Sequence, residues 1–245
     1  MPSLRDDGLV LARYPYRERD LVVSLLLRES GLLRVVARRA RGGRSPLASV
    51  LEPLALVSVT CFVRPSSELG TLDEAAVLRT SFPLAAKPAA WAAGQAVAEL
   101  ALAFCHPGQE GETSFRLVDH CVVALLAGAD PRAVAHYAEL WFLKLAGVLP
   151  ELGRCGVCAG ALDAGRWAFD VSHSHFVCAA HPAPAAALQL SPAAQSWLGV
   201  ALRQPLGQIA GAPPEDAVTW LRRLREGFTE REAKSFRLLR RLTDR

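Results

Sequence analysis

Four residues in one short stretch have both the type and the spacing to hold a metal ion: Cys155, Cys158, Cys178 and His181. Cys155 and Cys158 form a C-x-x-C, nineteen residues follow, and Cys178 and His181 close the pattern as C-x-x-H. A two-residue gap lets a tight turn aim both side chains at one point, and two such turns supply the corners of a tetrahedron, the geometry Zn2+ takes from thiolate and imidazole. Four protein ligands leave no coordination position for water or substrate, so the spacing predicts one structural zinc per chain in a ribbon or knuckle. Gly153, Gly156 and Gly160 are expected to give the turns their backbone freedom. Two disulfides, or four unconnected residues, are the competing reading of the same pattern. His173 and His175 stay open as substitutes for His181, although the even spacing favours His181.

A second group of residues carries charge rather than ligand chemistry. Arg34, Arg38, Arg39, Arg41 and Arg44 lie in a stretch with no acidic residue between Gly31 and Leu51. Arg13, Arg17 and Arg19 stand nearby in sequence with Tyr14 and Tyr16. Any one arginine is most simply a solvated surface residue. Five unopposed cations in one segment instead suggest a surface for phosphate, which guanidinium binds through paired N–H groups. The expected arrangement is a loop rim formed by Arg38 to Arg44, with Gly42 and Gly43 admitting a phosphate backbone and the tyrosines offering faces for bases.

Catalytic templates find no match. The stretch Arg41-Gly42-Gly43-Arg44-Ser45 lacks the first glycine and the lysine of a phosphate-cradling loop, and there is no HExxH or GxSxG. No paired acids follow an apolar strand in a way that would hold Mg2+ for nuclease work. The expectation is a binding protein and not an enzyme.

The elements that must position these residues change character along the chain. Apolar runs at Leu9 to Leu11, Leu21 to Leu27, Leu32 to Ala40, Leu54 to Val63 and Leu72 to Leu78 are separated by turn residues, with Tyr14-Pro15 expected to stop the first. Five strands in so short a span suggest a small closed barrel of the OB type, though an open five-stranded sheet gives much the same pattern. From Pro88 onward the periodicity is helical. Helices are expected over Ala89 to Phe104, Phe115 to Leu126, Asp130-Pro131 to about Leu149, Ser191-Pro192 to about Arg203, and from Pro214 onward, where Arg222, Arg223 and Arg225 should point away from the core. An amphipathic basic tail runs from Arg231 to Arg245. The fold class read from this pattern is α+β and multidomain. It comprises a five-stranded barrel over 1–81 and an α-helical domain over 82–245, with a zinc knuckle inserted at 151–182 that looks too rich in Gly, Ala and Pro to bury much core.

Composition narrows the setting. At 245 residues, 51% apolar and 21% charged, the chain has the balance of ordinary globular protein. The first residues have no signal-peptide pattern, and the longest uncharged run, Pro182 to Leu202, is broken by prolines and polar residues. Cys61, Cys105 and Cys121 sit in apolar segments, where they are expected to pack as small hydrophobes in a reducing cytoplasm. The formal net charge of +4 is unevenly spread. Residues 1–50 hold ten arginines against five acids, 51–190 hold eight basic against thirteen acidic residues, and 191–245 hold ten against six. Positive charge is confined to the two ends.

Taken in order, Gly8-Leu9-Val10-Leu11-Ala12-Arg13-Tyr14-Pro15-Tyr16-Arg17-Glu18-Arg19-Asp20-Leu21, then Gly31, Arg38-Arg39-Ala40-Arg41, Ser45-Pro46-Leu47 and Leu51-Glu52-Pro53-Leu54, resemble the N-terminal domain of RecO recombination mediators. The likeness continues through the helical middle to Cys155-Gly156-Val157-Cys158 and Cys178. The chain departs from that pattern where the family commonly has cysteine as fourth ligand and Gly-Gly before the third, for here stand His181 and Ser174-His175. The resemblance implies an N-terminal OB-fold, a helical domain carrying zinc, binding to single- and double-stranded DNA, and annealing of complementary strands. It also implies partnership with RecR and with the single-stranded DNA-binding protein to load RecA, at the nucleoid in the cytoplasm. Two other classes compete with it: a zinc-ribbon nuclease or other DNA-processing enzyme, and a sequence-specific regulator.

Overall fold

The computed structural model describes residues 3–42, 46–63, 69–163, 165 and 167–244. Packing divides the chain into two compact units, Met1–Pro131 with Lys234–Arg245, and Arg132–Ala233.

The first unit is built on a closed five-stranded barrel. Its strands are β1 (Ser3–Tyr16), β2 (Asp20–Leu27), β3 (Gly31–Ala37), β4 (Leu56–Phe62) and β5 (Gly70–Arg79), with α1 (Pro46–Val50) between β3 and β4. They close in the order β1-β2-β3-β5-β4, antiparallel except for β3 and β5, which is the OB-like topology. Alternate residues Leu21, Val23, Leu25 and Leu27 of β2 fill the interior with Val35 and Ala37 of β3 and Val57, Val59 and Cys61 of β4. Leu47 and Val50 of α1, followed by Leu51, pack against the same core.

The opposite face of the first strands is equally apolar, and helices cover it. Leu9, Leu11 and Leu26 are fully buried. Helix α2 (Phe82–Ala85) leads to α3 (Pro88–Phe104) and α4 (Glu112–Leu126), which pack on β1 and β2. The Arg79 guanidinium at the end of β5 reaches the Asp119 carboxylate of α4 at 2.5 Å. One end of the barrel is tied to these helices through the β2–β3 turn. There Asp6 Oδ2 accepts from the Glu29 and Ser30 N–H groups, each at 3.1 Å. Gly31 takes φ +71, and the α3–α4 linker comes so close that a Cβ on Gly111 would lie 2.6 Å from the Gly31 Cα. Both positions require glycine.

The second unit contains α5 (Pro131–Leu145) from Arg132 on. A three-stranded sheet of order β7-β6-β8 follows, made of β6 (Trp167–Asp170), β7 (His175–Val177) and β8 (Leu188–Leu190). Helices α6 (Pro192–Ala201) and α7 (Glu215–Thr229) complete it, the Ser191 hydroxyl capping α6 by accepting from the Ala194 N–H at 3.2 Å. The last helix, α8 (Lys234–Thr243), belongs to the first unit and packs on α3.

Several expectations are corrected here. Strand β1 does not stop at Pro15 but pairs with β2 through Tyr16. Beyond Leu9 it has no β4 partner, so the missing proline N–H faces an unpaired edge. β3 ends at Ala37 rather than Ala40, because Arg39 has φ 53 and cannot continue an extended chain. α5 ends at Leu145, and Gly147 at φ +70 turns the chain after it. The metal segment has a real core after all: Phe169, Phe176 and Trp220 are at most 1% exposed and meet at centroid distances of 5.2–5.8 Å.

Arg225 is corrected as well, since it points inward. It is 3% exposed, and its Nη1 donates to Glu139 Oε1 at 2.5 Å, while His136 Nδ1 lies 2.7 Å from the other Glu139 oxygen. Removing one member of such a pair leaves a buried charge uncompensated. Arg225→Met is therefore expected to destabilise the protein by about 3–5 kcal/mol, and Arg222→Met on the exposed side of α7 by less than about 0.5 kcal/mol, both read from urea unfolding midpoints.

Candidate functional site

The metal-ligand pattern converges in space. Sγ of Cys155, Cys158 and Cys178 and a ring nitrogen of His181 all lie within 4.8 Å of one another. Two tight turns and one short strand make the convergence. The Gly156 N–H donates to the Phe176 carbonyl at 2.8 Å and hangs the C-x-x-C turn on β7. Cys178 directly follows that strand, and the His181 N–H donates to the Cys178 carbonyl at 3.0 Å to close the second turn. Gly156 is needed for close approach, since a Cβ there would stand 2.5 Å from the His175 Cβ. The left-handed residue of the turn is Ala159 at φ 57, not Gly160.

The distances fit a tetrahedral ion. Metal–sulfur bonds of about 2.3 Å and metal–nitrogen bonds of about 2.05 Å place sulfurs about 3.8 Å apart and sulfur and nitrogen about 3.6 Å apart. Cys158 and Cys178 sulfurs are 3.9 Å apart, and His181 Nδ1 lies 3.6 Å from Cys155 Sγ and 3.2 Å from Cys178 Sγ. A disulfide needs about 2.05 Å, so the paired-disulfide alternative falls. His173 is engaged elsewhere, its Nδ1 being 2.8 Å from Asp170 Oδ2, with His175 stacked on it at 5.7 Å. Neither histidine enters the cluster, and His181 is the fourth member.

The electrostatics of the sulfurs also ask for a cation. Burial opposes ionisation of Cys155, but the N–H groups of Cys158, Val157 and Cys178 outweigh it and hold the thiol down at about 6. At Cys158 the Gly160 N–H favours the thiolate, yet the neighbouring Cys155 and Cys178 sulfurs oppose a second negative charge and leave its pKa raised. Thiolates on Cys155 and Cys158 coexist most readily with a positive charge between them. The remaining cysteines lack such help. Burial, with the nearby Asp6 and Asp73 charges, pushes Cys61 up to about 12, and burial raises Cys121 and Cys105 too.

The arginines divide into groups. Barrel closure puts the β1–β2 turn and the segment leaving β3 at the same end, opposite the β2–β3 turn. Arg41 ties the two together: its N–H donates to the Arg19 carbonyl at 2.9 Å and its Nη1 to the Arg17 carbonyl at 3.3 Å. The Arg39 N–H donates to Asp20 Oδ1 at 2.8 Å. Arg17, Arg19, Arg38, Arg39 and Arg41 are thus gathered on one rim with their side chains exposed, accompanied by the carboxylates of Glu18 and Asp20. Arg17 and Arg39 hold left-handed backbone at φ 52 and 53, and the Arg17 guanidinium lies over Tyr16 at 5.2 Å from its centroid. Tyr14 is 49% exposed on the same strand.

Two arginines stand apart from the rim. Arg13 pairs with Glu52 at 3.2 Å and reaches the Ala48 carbonyl. Arg34 is exposed in mid-strand opposite Ser24. Arg44 lies outside the described residues. Glu18 and Asp20 were not weighed against the arginine segment in sequence, because only the hairpin brings them beside it.

Elemental analysis is expected to find one divalent ion per chain. His181→Ala and Cys178→Ser should each retain less than about a tenth of it after chelator dialysis, whereas His173→Ala retains it all. Lowering pH from 7 toward 5 should release the ion, since protons then compete for the thiolates.

Two family models match the chain: Recombination protein O N terminal over residues 1–81, and Recombination protein O C terminal over residues 86–238. Relatives named DNA repair protein RecO run the length of the chain. The protein from Koribacter versatilis is 34% identical over 234 residues, covering 93% of this chain and 92% of its own. One from Anaeromyxobacter sp. strain K is 33% identical over 215 residues, 88% of this chain and 84% of its own. One from Bifidobacterium adolescentis is 26% identical over 253 residues, 98% and 100% respectively. With both family models matched over most of its length and relatives at 33–34% identity over most of both chains, this chain belongs to the RecO family of DNA repair proteins.

Proposed function

We propose that this chain is a non-catalytic mediator of recombinational repair that binds single- and double-stranded DNA through the barrel rim and anneals complementary strands. In this reading it acts with RecR to load RecA onto DNA coated by the single-stranded DNA-binding protein, at the nucleoid in the cytoplasm. The observation that carries it is the rim itself, where five exposed guanidinium groups face solvent against two carboxylates.

The chemistry follows from what such a surface distinguishes. Guanidinium groups on a barrel end neutralise phosphates whatever the base sequence. Tyr14 and Tyr16 add stacking faces, which are tolerant of base identity. Annealing needs little more from a protein than screening of the two phosphate backbones, because Watson–Crick pairing then selects the product. Contacts to phosphate and to base faces carry no base sequence, which separates this reading from a sequence-specific regulator.

The ion in the second unit is proposed to be zinc, held by Cys155, Cys158, Cys178 and His181 in a structural role. It would neutralise the thiolates and fix the loop that carries them, with every position taken by protein. Among the described residues no helix is long and apolar enough to cross a membrane, and no membrane partner is proposed.

The test is charge reversal on the rim. Arg38→Glu with Arg39→Glu is expected to weaken binding of a fluorescent single-stranded oligonucleotide at least about tenfold at low salt. The slope of log affinity against log salt should become shallower by about 1.4, two phosphates at about 0.7 each. Unchanged affinity and slope would remove the rim from the account, and metal-dependent cleavage of the oligonucleotide would replace the mediator with a nuclease.

A further inference from the structure

The cationic N-terminal end and the last part of the cationic C-terminal end fall in one compact unit, because α8 belongs to the unit of the barrel. The anchor is specific. The Glu99 carboxylate of α3 accepts from the Lys234 and Ser235 N–H groups at 3.0 and 2.9 Å, capping the N-terminus of α8 from a neighbouring helix. Leu239 is 2% exposed against that neighbour, with Ser235, Phe236, Leu242 and Thr243 half-buried around it. At 100° per residue the other side of the helix presents Lys234, Arg237, Arg240 and Arg241, all exposed. Asp244, at its last turn, is the carboxylate that follows them.

We propose that this face of α8 is a second nucleic-acid backbone site, so that one compact unit holds a first strand on the barrel rim and a second on α8. The inference deepens the annealing reading and rests on it. Two simpler accounts of the basic face do not cover it. Cations near a helix C-terminus complement the dipole, which accommodates Arg240 and Arg241, but Lys234 sits at the positive end, where the dipole disfavours it. Lys234, Arg240 and Arg241 are in no ion pair among the described residues. A basic amphipathic helix can also lie on a membrane, but that requires a broad free apolar side, and here the apolar side packs on α3 and leaves Leu238, 47% exposed, among the cations.

What remains is a ridge of positive charge offered to a polyanion. Lys234 to Arg241 spans about 10 Å at about 1.5 Å per residue. That length matches about three successive phosphates of a helical strand at about 3.4 Å each. Two such sites on one body solve the problem that annealing poses, since strands that repel each other are brought together by a common counter-charge.

The experiment uses the full-length, metal-loaded protein and replaces Arg237, Arg240 and Arg241 together with Gln, and separately with Lys. One biotinylated oligonucleotide is immobilised, protein is bound, and retention of a second, non-complementary labelled strand is measured beside the annealing rate of complementary strands. The Gln variant is expected to bind the first strand within about twofold of wild type and to lose second-strand retention and annealing by about tenfold. The Lys variant should recover both, which rules out a packing role for the guanidinium groups. A Gln variant that retains the second strand and anneals normally overturns the proposal, and assigns the ridge to an acidic protein instead. First-strand binding that survives Arg38→Glu with Arg39→Glu defeats the rim reading alone, while second-strand loss in the Gln variant still supports α8.

Discussion

Closing five strands in the order β1-β2-β3-β5-β4 is the constraint from which the exposed arginine rim of this protein follows. A closed barrel has little open edge to offer beyond the far half of β1, so its ends become the places where loops and charge can collect. The β2–β3 end is occupied by the α3–α4 linker and the Asp6 carboxylate. The other end, with the β1–β2 turn and the exit of β3, keeps its arginine side chains in water. Like charges placed so near one another repel, and the structure moderates this with Asp20 on the Arg39 N–H and with main-chain carbonyls on Arg41. A phosphate chain would relieve the rest.

The second unit depends on a different balance. Its three-stranded sheet has strands of only three or four residues, too short to stand alone in water. The aromatic cluster of Phe169, Phe176 and Trp220 fixes one face of that sheet. The Cys3His cluster fixes the turns at its edge, hanging on the Gly156 contact to β7. Cluster and core are therefore complementary here, and an ion bound by the four residues would add to hydrophobic burial rather than replace it.

Much of this was legible in the sequence because local spacing carried it. The C-x-x-C and C-x-x-H turns name the four cluster members directly, and the apolar runs between turn residues locate all five barrel strands. What was missed depends on distance in space. Arg225 reads as one of three surface arginines on α7, and only the packing of α5 places Glu139 against it. The strands β6 to β8 are too short for any period to show. Pro15 stops a strand that has partners on both sides, and nothing local says that β1 has lost one of its neighbours by that point.

The backbone at the rim adds a last argument about why arginine stands there. Arg17 and Arg39 both adopt left-handed conformations, which cost a residue with a Cβ about 1–2 kcal/mol and cost glycine almost nothing. At a turn whose only task was to reverse the chain, glycine or asparagine would be the cheaper choice. Two positions on the same rim instead keep long cationic side chains in spite of that strain. Leu54, Ala159, Ser174 and Glu230 hold the same backbone elsewhere, so the strain alone does not mark a site. The proposed contact with an anionic chain would give the two rim positions a reason to keep guanidinium groups on a tight turn.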